Sequence, residues 1–320
     1  MSFRRDERIG EMRGKGSISA NDVTKLRRGI FSKGYVTAEE ADVLFAMHDA
    51  CPVQDPAWSA FLIEAITDHI INRADPRGYV TVDNAGWLIA RISQNRIVET
   101  NTELELLIRV IEAARWSPPS LSQFAIEQVK HAVETNSGPI RSGRTIAPGV
   151  VTETDTQLIR RLLCAFGSDA NFAIMRAEIA ALCAINEASM TEINHPSWAD
   201  LFVKALANVL MFASGCSAPP RSEVLGGAVE PSAAAGLKAI WPLYKQTDAE
   251  TRALARLERQ RLEIVTREVI ETDDIDWLLA HLERAGLTPA ERLLLEFLKG
   301  EGAGLHPKLR PLVDQLAPAA

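Results

Sequence analysis

The sequence contains few of the patterns that identify an enzyme, a metal site or a membrane protein. It has no Gly-rich phosphate-binding loop, no Gly-x-Ser-x-Gly motif and no two histidines at a metal-binding spacing. No apolar run reaches the roughly eighteen residues that a membrane-spanning helix requires. We therefore nominate no catalytic, cofactor-binding or metal-binding residue, and we expect neither a cofactor nor a membrane span.

Cysteine is scarce as well. The cysteines lie far apart and form no Cys-x-x-Cys pattern; they are Cys51, Cys164, Cys183 and Cys216. Such spacing favours reduced thiols over a disulfide or zinc framework. The first residues contain no apolar stretch of the kind found in a signal peptide. Both observations predict a cytoplasmic protein.

The composition predicts an all-α protein. Aromatic residues make up only 6% of the chain, whereas Ala, Leu, Glu and Arg are abundant. This balance favours helices over strands. A chain of 320 residues is long enough for two domains. The net charge of −7 argues against nucleic acid as a partner.

An internal repeat is the most informative pattern that is present. Residues 55–71 and 195–211 match at one constant spacing. The identical positions are Pro56 with Pro196, Trp58 with Trp198, and Ala65 with Ala205. Both segments place their apolar residues on one helical face, so we predict that the two tryptophans fill equivalent core positions.

The repeat extends in both directions from these segments. The further matches are residues 26–28 with 159–161, 40–50 with 178–188, 87–92 with 277–282, and 102–108 with 290–296. The spacing is larger for the last two matches, so the second copy carries an insertion. We predict a mobile arm (1–19), helical repeat 1 (20–133), a linker (134–153) and helical repeat 2 (154–320), with the insertion at 213–268.

One segment has the shape of the second half of an EF-hand calcium loop. Gly34-Tyr-Val-Thr-Ala-Glu-Glu40 has glycine at the sixth position and glutamate at the twelfth. The first, third and fifth positions hold Gly29, Phe31 and Lys33, which offer no side-chain oxygen. We interpret the segment as an EF-hand-like helix–turn–helix with a capping box, and we expect no calcium binding tighter than about millimolar.

Two resemblances accompany these patterns. Asp55–Trp58 and Arg77–Val80 resemble the duplicated Asp-Pro-Ala-Trp and Arg-Gly-Tyr-Val segments of a family of uncharacterised bacterial helical proteins. The repeated helix–turn–helix with Glu40 and Glu178 is distantly similar to the TerB-like helical domains of tellurite resistance. The first resemblance covers most of the chain and implies a duplicated helical fold without an activity. Neither assigns a functional residue.

Duplicated helical domains without a recognisable site are common interaction modules. We therefore predict a non-enzymatic cytoplasmic protein-interaction or scaffold protein, in which the insertion at 213–268 binds another protein. A metal-responsive, calcium-type regulator with degenerate EF-hand-like loops is the first alternative. The second alternative is a helical enzyme with a site between the repeats. His48 and Asp49 are the residues that would form an acid–base pair in an enzyme.

Overall fold

The computed structural model describes residues 14–30, 34–143, 145–165, 174, 176–189, 193–213, 216–217, 221–225, 245–246, 275–282, 286–300, 308 and 310–314. Within these ranges the protein is mostly helical, and its strands are short pairs of two-residue segments. This confirms the prediction of an all-α protein. No helix in the described ranges is long and apolar enough to cross a membrane.

The chain divides into two units, Met1–Ala114 and Arg115–Ala320. The first unit contains β1 (Ser17–Ile18), α1 (Ala20–Ile30), α2 (Ala38–Ala50), β2 (Val53–Gln54), α3 (Pro56–Asp68), a π-helical turn (His69–Arg73), α4 (Val82–Ile92) and α5 (Asn101–Ala113). The helix α3 packs against α1, α2 and α5 and forms the centre of this unit.

The second unit begins with α6 (Pro119–Thr135), a 3-10 turn (Pro139–Arg141), α7 (Glu153–Ala165), α8 (Arg176–Ala188) and α9 (Pro196–Ala213). Its later elements are β3 (Cys216–Ser217), α10 (Arg221–Leu225), β4 (Lys245–Gln246), α11 (Ile275–Leu282), α12 (Pro289–Gly300) and α13 (Arg310–Asp314). The helix α9 packs against α7, α8 and α12, while α6 packs against α7 and α8.

The division between the units differs from the predicted linker. It falls after Ala114, whereas the sequence places the linker at 134–153. The helix α6 therefore belongs to the second unit, where its buried side chains, among them Leu121, Phe124 and Val129, face α7 and α8. The apolar period of a helix predicts which face is buried, but it does not predict the body against which that face packs.

Parts of the predicted arm and insertion are also described. The strand β1 lies within the predicted arm (1–19) and pairs in parallel with β2. The predicted insertion (213–268) contains β3, α10 and β4, and β3 pairs with β4 in antiparallel orientation. Residues 1–13 of the arm and residues 214–215, 218–220, 226–244 and 247–268 of the insertion lie outside the described residues, so their predicted roles stay predictions.

A side-chain cap begins α2 at the predicted position, and a second side-chain cap begins α3. At α2, Glu40 N–H donates to Thr37 Oγ1 and Thr37 N–H donates to Glu40 Oε2, at 3.3 and 3.0 Å. This confirms the predicted capping box. At α3, Asp55 Oδ1 accepts the N–H of Ala57 at 2.9 Å, and Pro56 occupies the first turn. The turn before α2 contains Gly34 with a φ of 75°, a left-handed conformation that glycine adopts without strain.

The two matched tryptophans lie in the two cores, as predicted. Trp58 in α3 is 0% exposed and Trp198 in α9 is 1% exposed. Each ring contacts a phenylalanine one helical turn later, with centroid separations of 5.9 Å for Trp58 with Phe61 and 5.8 Å for Trp198 with Phe202. Aromatic pairs of this kind contribute beyond their buried area, so each tryptophan anchors its unit.

We expect Trp58→Ala and Trp198→Ala each to lower the free energy of unfolding by about 3–5 kcal/mol, the range for removal of a large buried aromatic side chain. Urea unfolding of the full chain, followed by circular dichroism, measures both values. Val53→Ala is the control, since Val53 is 67% exposed and its truncation should change stability little. A loss below about 1 kcal/mol for either tryptophan would contradict the core assignment.

A buried ion pair holds the predicted linker in the second unit. Arg141 Nη1 donates to both carboxylate oxygens of Asp155 at 2.8 Å, and the two side chains are 2% and 0% exposed. The same guanidinium donates through Nε to Ala132 O and through Nη2 to Val150 O. Arg141 thereby joins the end of α6 to the start of α7, because its donors are shared between them.

We expect Arg141→Met to lower the free energy of unfolding by about 3–5 kcal/mol, because it leaves the Asp155 carboxylate buried without its cation. Lys130→Met is the matched control, since Lys130 forms a partly exposed ion pair with Glu134 on α6. Its loss should cost about 0.5 kcal/mol or less. Chemical denaturation compares the two variants. Equal, small losses would show that the Arg141 pair contributes little.

Candidate binding cleft in the second unit

A cleft of about 370 Å³ lies between α8 and α11 in the second unit. Its lining residues are Ala180, Cys183, Ala184, Glu187, Trp277, Ala280 and His281. Residues three, four and seven positions apart share one helical face, so α8 contributes a single stripe of side chains. Three members of that stripe are small, which leaves the space between the helices open.

Trp277 and His281 form the wall that α11 contributes. They lie one helical turn apart, and their ring centroids are 5.7 Å apart. The guanidinium carbon of Arg176, at the start of α8, lies 5.3 Å from the centre of a ring of Trp277. Arg176 does not line the cleft, so the tryptophan meets a cation on one side and the cleft on another.

Two carboxylates meet His281 at the end of the cleft. His281 Nε2 lies 3.5 Å from Glu291 Oε1 and 3.9 Å from Glu187 Oε1. The Glu291 side chain is 7% exposed and also accepts the N–H of Thr288, so it is fixed at the start of α12. The Glu187 side chain is 45% exposed and lies at the rim. The cleft thus combines an aromatic wall, an imidazole and an accessible carboxylate.

Hydrogen bonds from the core hold α8 in place behind the cleft. Trp198 Nε1–H donates to Asn186 Oδ1 at 3.2 Å. The amide of Asn186 donates in turn to Thr288 Oγ1 at 2.8 Å. Asn186 is 3% exposed, and these bonds connect α9, α8 and the start of α12. Buried polar groups with satisfied bonds set the orientation of helices, so the cleft rests on a preorganised support.

The matched positions of the first unit hold side chains that pack against one another. In the predicted alignment Phe45 corresponds to Cys183, and the Phe45 ring packs edge-on against Trp87 with centroids 5.7 Å apart. Trp87 Nε1–H donates to Asp42 Oδ1 at 3.3 Å, and Arg91 Nη2 lies 2.9 Å from the same oxygen. A phenyl ring and an ion pair therefore occupy the region that is open in the second unit.

The two residues of the alternative acid–base pair differ in exposure. His48 is 5% exposed, and its Nδ1 accepts the indole N–H of Trp58 at 3.2 Å. Because an indole only donates, Nδ1 is unprotonated and Nε2 carries the hydrogen, 3.9 Å from Glu103 Oε1. Burial lowers the pKa of His48, although Glu103 and Asp49 oppose the shift. Asp49 lies on the exposed side of α2, where burial raises its pKa and His48 opposes that shift.

The thiols of Cys51, Cys164 and Cys183 form no disulfide. Burial raises the pKa of both Cys51 and Cys164, and Asp22 raises that of Cys51 further. Arg160 and Arg221 oppose the shift at Cys164. A raised pKa keeps a thiol protonated, and protonated thiols are poor nucleophiles and poor metal ligands. In the part of the chain that the structure describes, no group of three or more His, Cys, Asp or Glu side chains forms a metal site.

The sequence identified the parts of this cleft without predicting the cleft itself. Trp277 was matched to Trp87, while Cys183 was interpreted only as a reduced thiol and His281 carried no role. The available signal was the difference between the copies at matched positions, Phe45 against Cys183 and Arg91 against His281. Comparison of the chain with protein families, with curated proteins and with solved structures finds no match.

The lowered pKa of His48 predicts that stability depends on pH. The unfolded chain, with an ordinary histidine pKa of 6.5, binds a proton that the folded protein excludes. The contribution of His48 is therefore complete above about pH 6.5 and is lost as the pH falls below it. His48→Asn copies the acceptor found at Asn186 and removes this proton.

Urea unfolding of the wild type and His48→Asn at several pH values between about 5 and 8 measures the effect. We expect the wild type to lose stability relative to the variant as the pH falls. Titrating groups away from His48 are common to both proteins and cancel in the difference, whereas Asp49 contributes to it, because His48 lowers the pKa of that carboxyl. Parallel pH profiles would show that His48 accepts a proton in the fold without cost.

Proposed function

We propose that the protein is a non-enzymatic binding protein made of two tandem pseudo-repeats of short helices, with its binding cleft in the second repeat. The partner is another protein, and the location is cytoplasmic, as the sequence predicts. One observation carries the proposal: the second unit contains a cleft of about 370 Å³ that Cys183 helps to line, whereas at the matched position of the predicted alignment the Phe45 ring packs against Trp87.

Equivalent caps at the first helix of each repeat support the duplication. Asp22 Oδ2 accepts the hydroxyl of Ser19 at 2.7 Å, and Asp155 Oδ2 accepts the hydroxyl of Thr152 at 2.7 Å. Ile18 precedes the first cap and Val151 precedes the second, and the carbonyl of each accepts a backbone N–H. The donor in each case is the residue before Pro56 or Pro196. These pairs are Asp55 N–H with Ile18 O and His195 N–H with Val151 O, both at 2.9 Å.

The hydrogen bonds of the two tryptophans also support the duplication. Each indole donates over 3.2 Å to the matched residue of the preceding helix, His48 for Trp58 and Asn186 for Trp198. In each unit the acceptor then faces the start of a later helix. That start is capped by Thr100 with Glu103 in the first unit and by Thr288 with Glu291 in the second. Each central helix also packs against three matched helices.

The character of the cleft favours binding over catalysis. Ligand sites are concave, mostly apolar and carry a few placed polar groups, and clefts of about 300–1,000 Å³ are typical. The cleft between α8 and α11 fits this description with Trp277, His281 and Glu187. The calcium alternative has less support, because the carboxylate of Glu40 accepts the N–H of Thr37 in a capping box.

The test places a phenyl ring at position 183, which corresponds to Phe45 of the first unit in the predicted alignment. Cys183→Phe places a ring in the open space, while Cys183→Ser keeps the space and is the matched control. We expect affinity capture from host extract with the full chain to recover a specific partner with the wild type and Cys183→Ser. Cys183→Phe should reduce the amount of partner recovered at least about tenfold, while its circular dichroism spectrum stays unchanged. Equal recovery with all three proteins would overturn the binding role of the cleft.

A further inference from the structure

The start of the predicted insertion belongs to the interior of the second unit. The short helix α10 lies within the insertion and packs against α7 and α9. Val224 and Leu225 are both 0% exposed, and Arg221 is 5% exposed. The strand β3 packs against α9 as well. A partner protein cannot reach side chains that are buried in this way, so this part of the insertion serves the second unit itself.

The guanidinium of Arg221 joins two helices of that unit. Its Nη1 donates to Oε1 of Glu178 at 3.1 Å, and its Nη2 lies 3.0 Å from Oε2 of the same carboxylate. The two side chains are 3% and 0% exposed. Nη1 also donates to Leu163 O at 3.2 Å. Because a bidentate contact fixes orientation as well as distance, Arg221 connects the end of α7 to the start of α8.

The matched glutamate of the first unit is held by a local contact instead. In the predicted alignment Glu178 corresponds to Glu40, whose carboxylate accepts the N–H of Thr37 in the capping box of α2. The residue that corresponds to Thr37 is Met175, and methionine has no hydroxyl with which to cap a helix. The glutamate therefore bonds to a residue three positions away in the first unit and 43 positions away in the second.

The helix α8 connects this contact to the cleft. Its lining residues begin with Ala180, two positions after Glu178, and continue along the helix to Glu187. The far end of α8 is held by Asn186, which bonds to Trp198 and to Thr288. A helix that is anchored at both ends presents its lining side chains in one position, and loss of one anchor lets that end open locally.

From these contacts we infer that Arg221 is a positioning residue for the cleft. Through Glu178 it fixes the start of α8, and α8 forms one wall of the cleft. The insertion, which has no counterpart in the predicted first repeat, thereby acts on the site through the interior of the unit. This inference rests on the proposed binding function and names a contact that shapes the site.

Hydrogen–deuterium exchange of the full chain, measured by mass spectrometry, tests this contact. Arg221→Met removes the guanidinium from Glu178, so the amides of residues 180–187 should exchange at least about tenfold faster, because breaking a buried ion pair is costly. Arg160→Met is the matched control, since Arg160 lies on α7 and pairs over 3.7 Å with Asp200 of α9. It should change the exchange of α8 much less. The amides of α3 in the first unit are the reference and should exchange as in the wild type.

Two further variants keep the test decisive if Arg221→Met does not fold. Arg221→Lys keeps the positive charge and loses the bidentate contact, so its α8 amides should exchange at a rate between those of the wild type and Arg221→Met. The double variant Arg221→Met/Glu178→Met removes both charges, and its α8 amides should exchange more slowly than those of Arg221→Met alone. Equal α8 exchange in Arg221→Met and Arg160→Met, or a double variant that exchanges faster than either single variant, would overturn the inference.

Affinity capture from host extract separates this inference from the proposed function. Arg221→Met should reduce the amount of the wild-type partner recovered about two- to tenfold, and Arg221→Lys should restore part of that loss. If Cys183→Phe reduces recovery but Arg221→Met loosens α8 without reducing it, the cleft binds and Arg221 does not position it. If recovery is the same with every variant, including Cys183→Phe, the proposed function is wrong and the role of Arg221 at the cleft falls with it.

Discussion

The indole N–H of a buried tryptophan usually bonds to an acceptor, because an unmet donor is costly in a core. In each unit the indole bond of one tryptophan helps to connect three helices. Trp58 reaches His48, which faces Glu103, while Trp198 reaches Asn186, which bonds to Thr288. Each tryptophan therefore bonds directly to the preceding helix. Its acceptor residue then connects that helix to the start of a later one. The cleft of the second unit lies on the far side of a helix held in this way.

Local signals predicted local structure. The capping box of Thr37 with Glu40 and the burial of both tryptophans follow from interactions within a few residues or from helical period. The placement of α6 and the burial of Arg141 do not, because each depends on which distant surface supplies the partner. Asp155 is the partner of Arg141, yet nothing in the spacing of the two residues distinguishes them from exposed charges.

The cleft was hidden for a related reason. A pocket is the space that the side chains of two packed helices leave empty, so no sequence motif marks it. The sequence shows only that Phe45 is matched by Cys183. Both are ordinary core residues, and the difference gains meaning only when the side chains around each of them are known. The chemistry at the rim is equally indirect, since Glu187 and His281 lie on different helices and are far apart in the chain. The predicted alignment makes such differences visible, because it sets Phe45 beside Cys183 and Arg91 beside His281.

The helix α6 belongs to different domains by sequence and by packing. By sequence, α6 ends the first repeat; by packing, it belongs to the second unit, and Arg141 fastens its end to α7. If the chain arose by duplication, the segment that was copied and the body that folds do not coincide. The last helix of the predicted first copy then packs within the second unit. A cut at the predicted repeat boundary would consequently separate α6 from α7 and α8, the helices against which it packs.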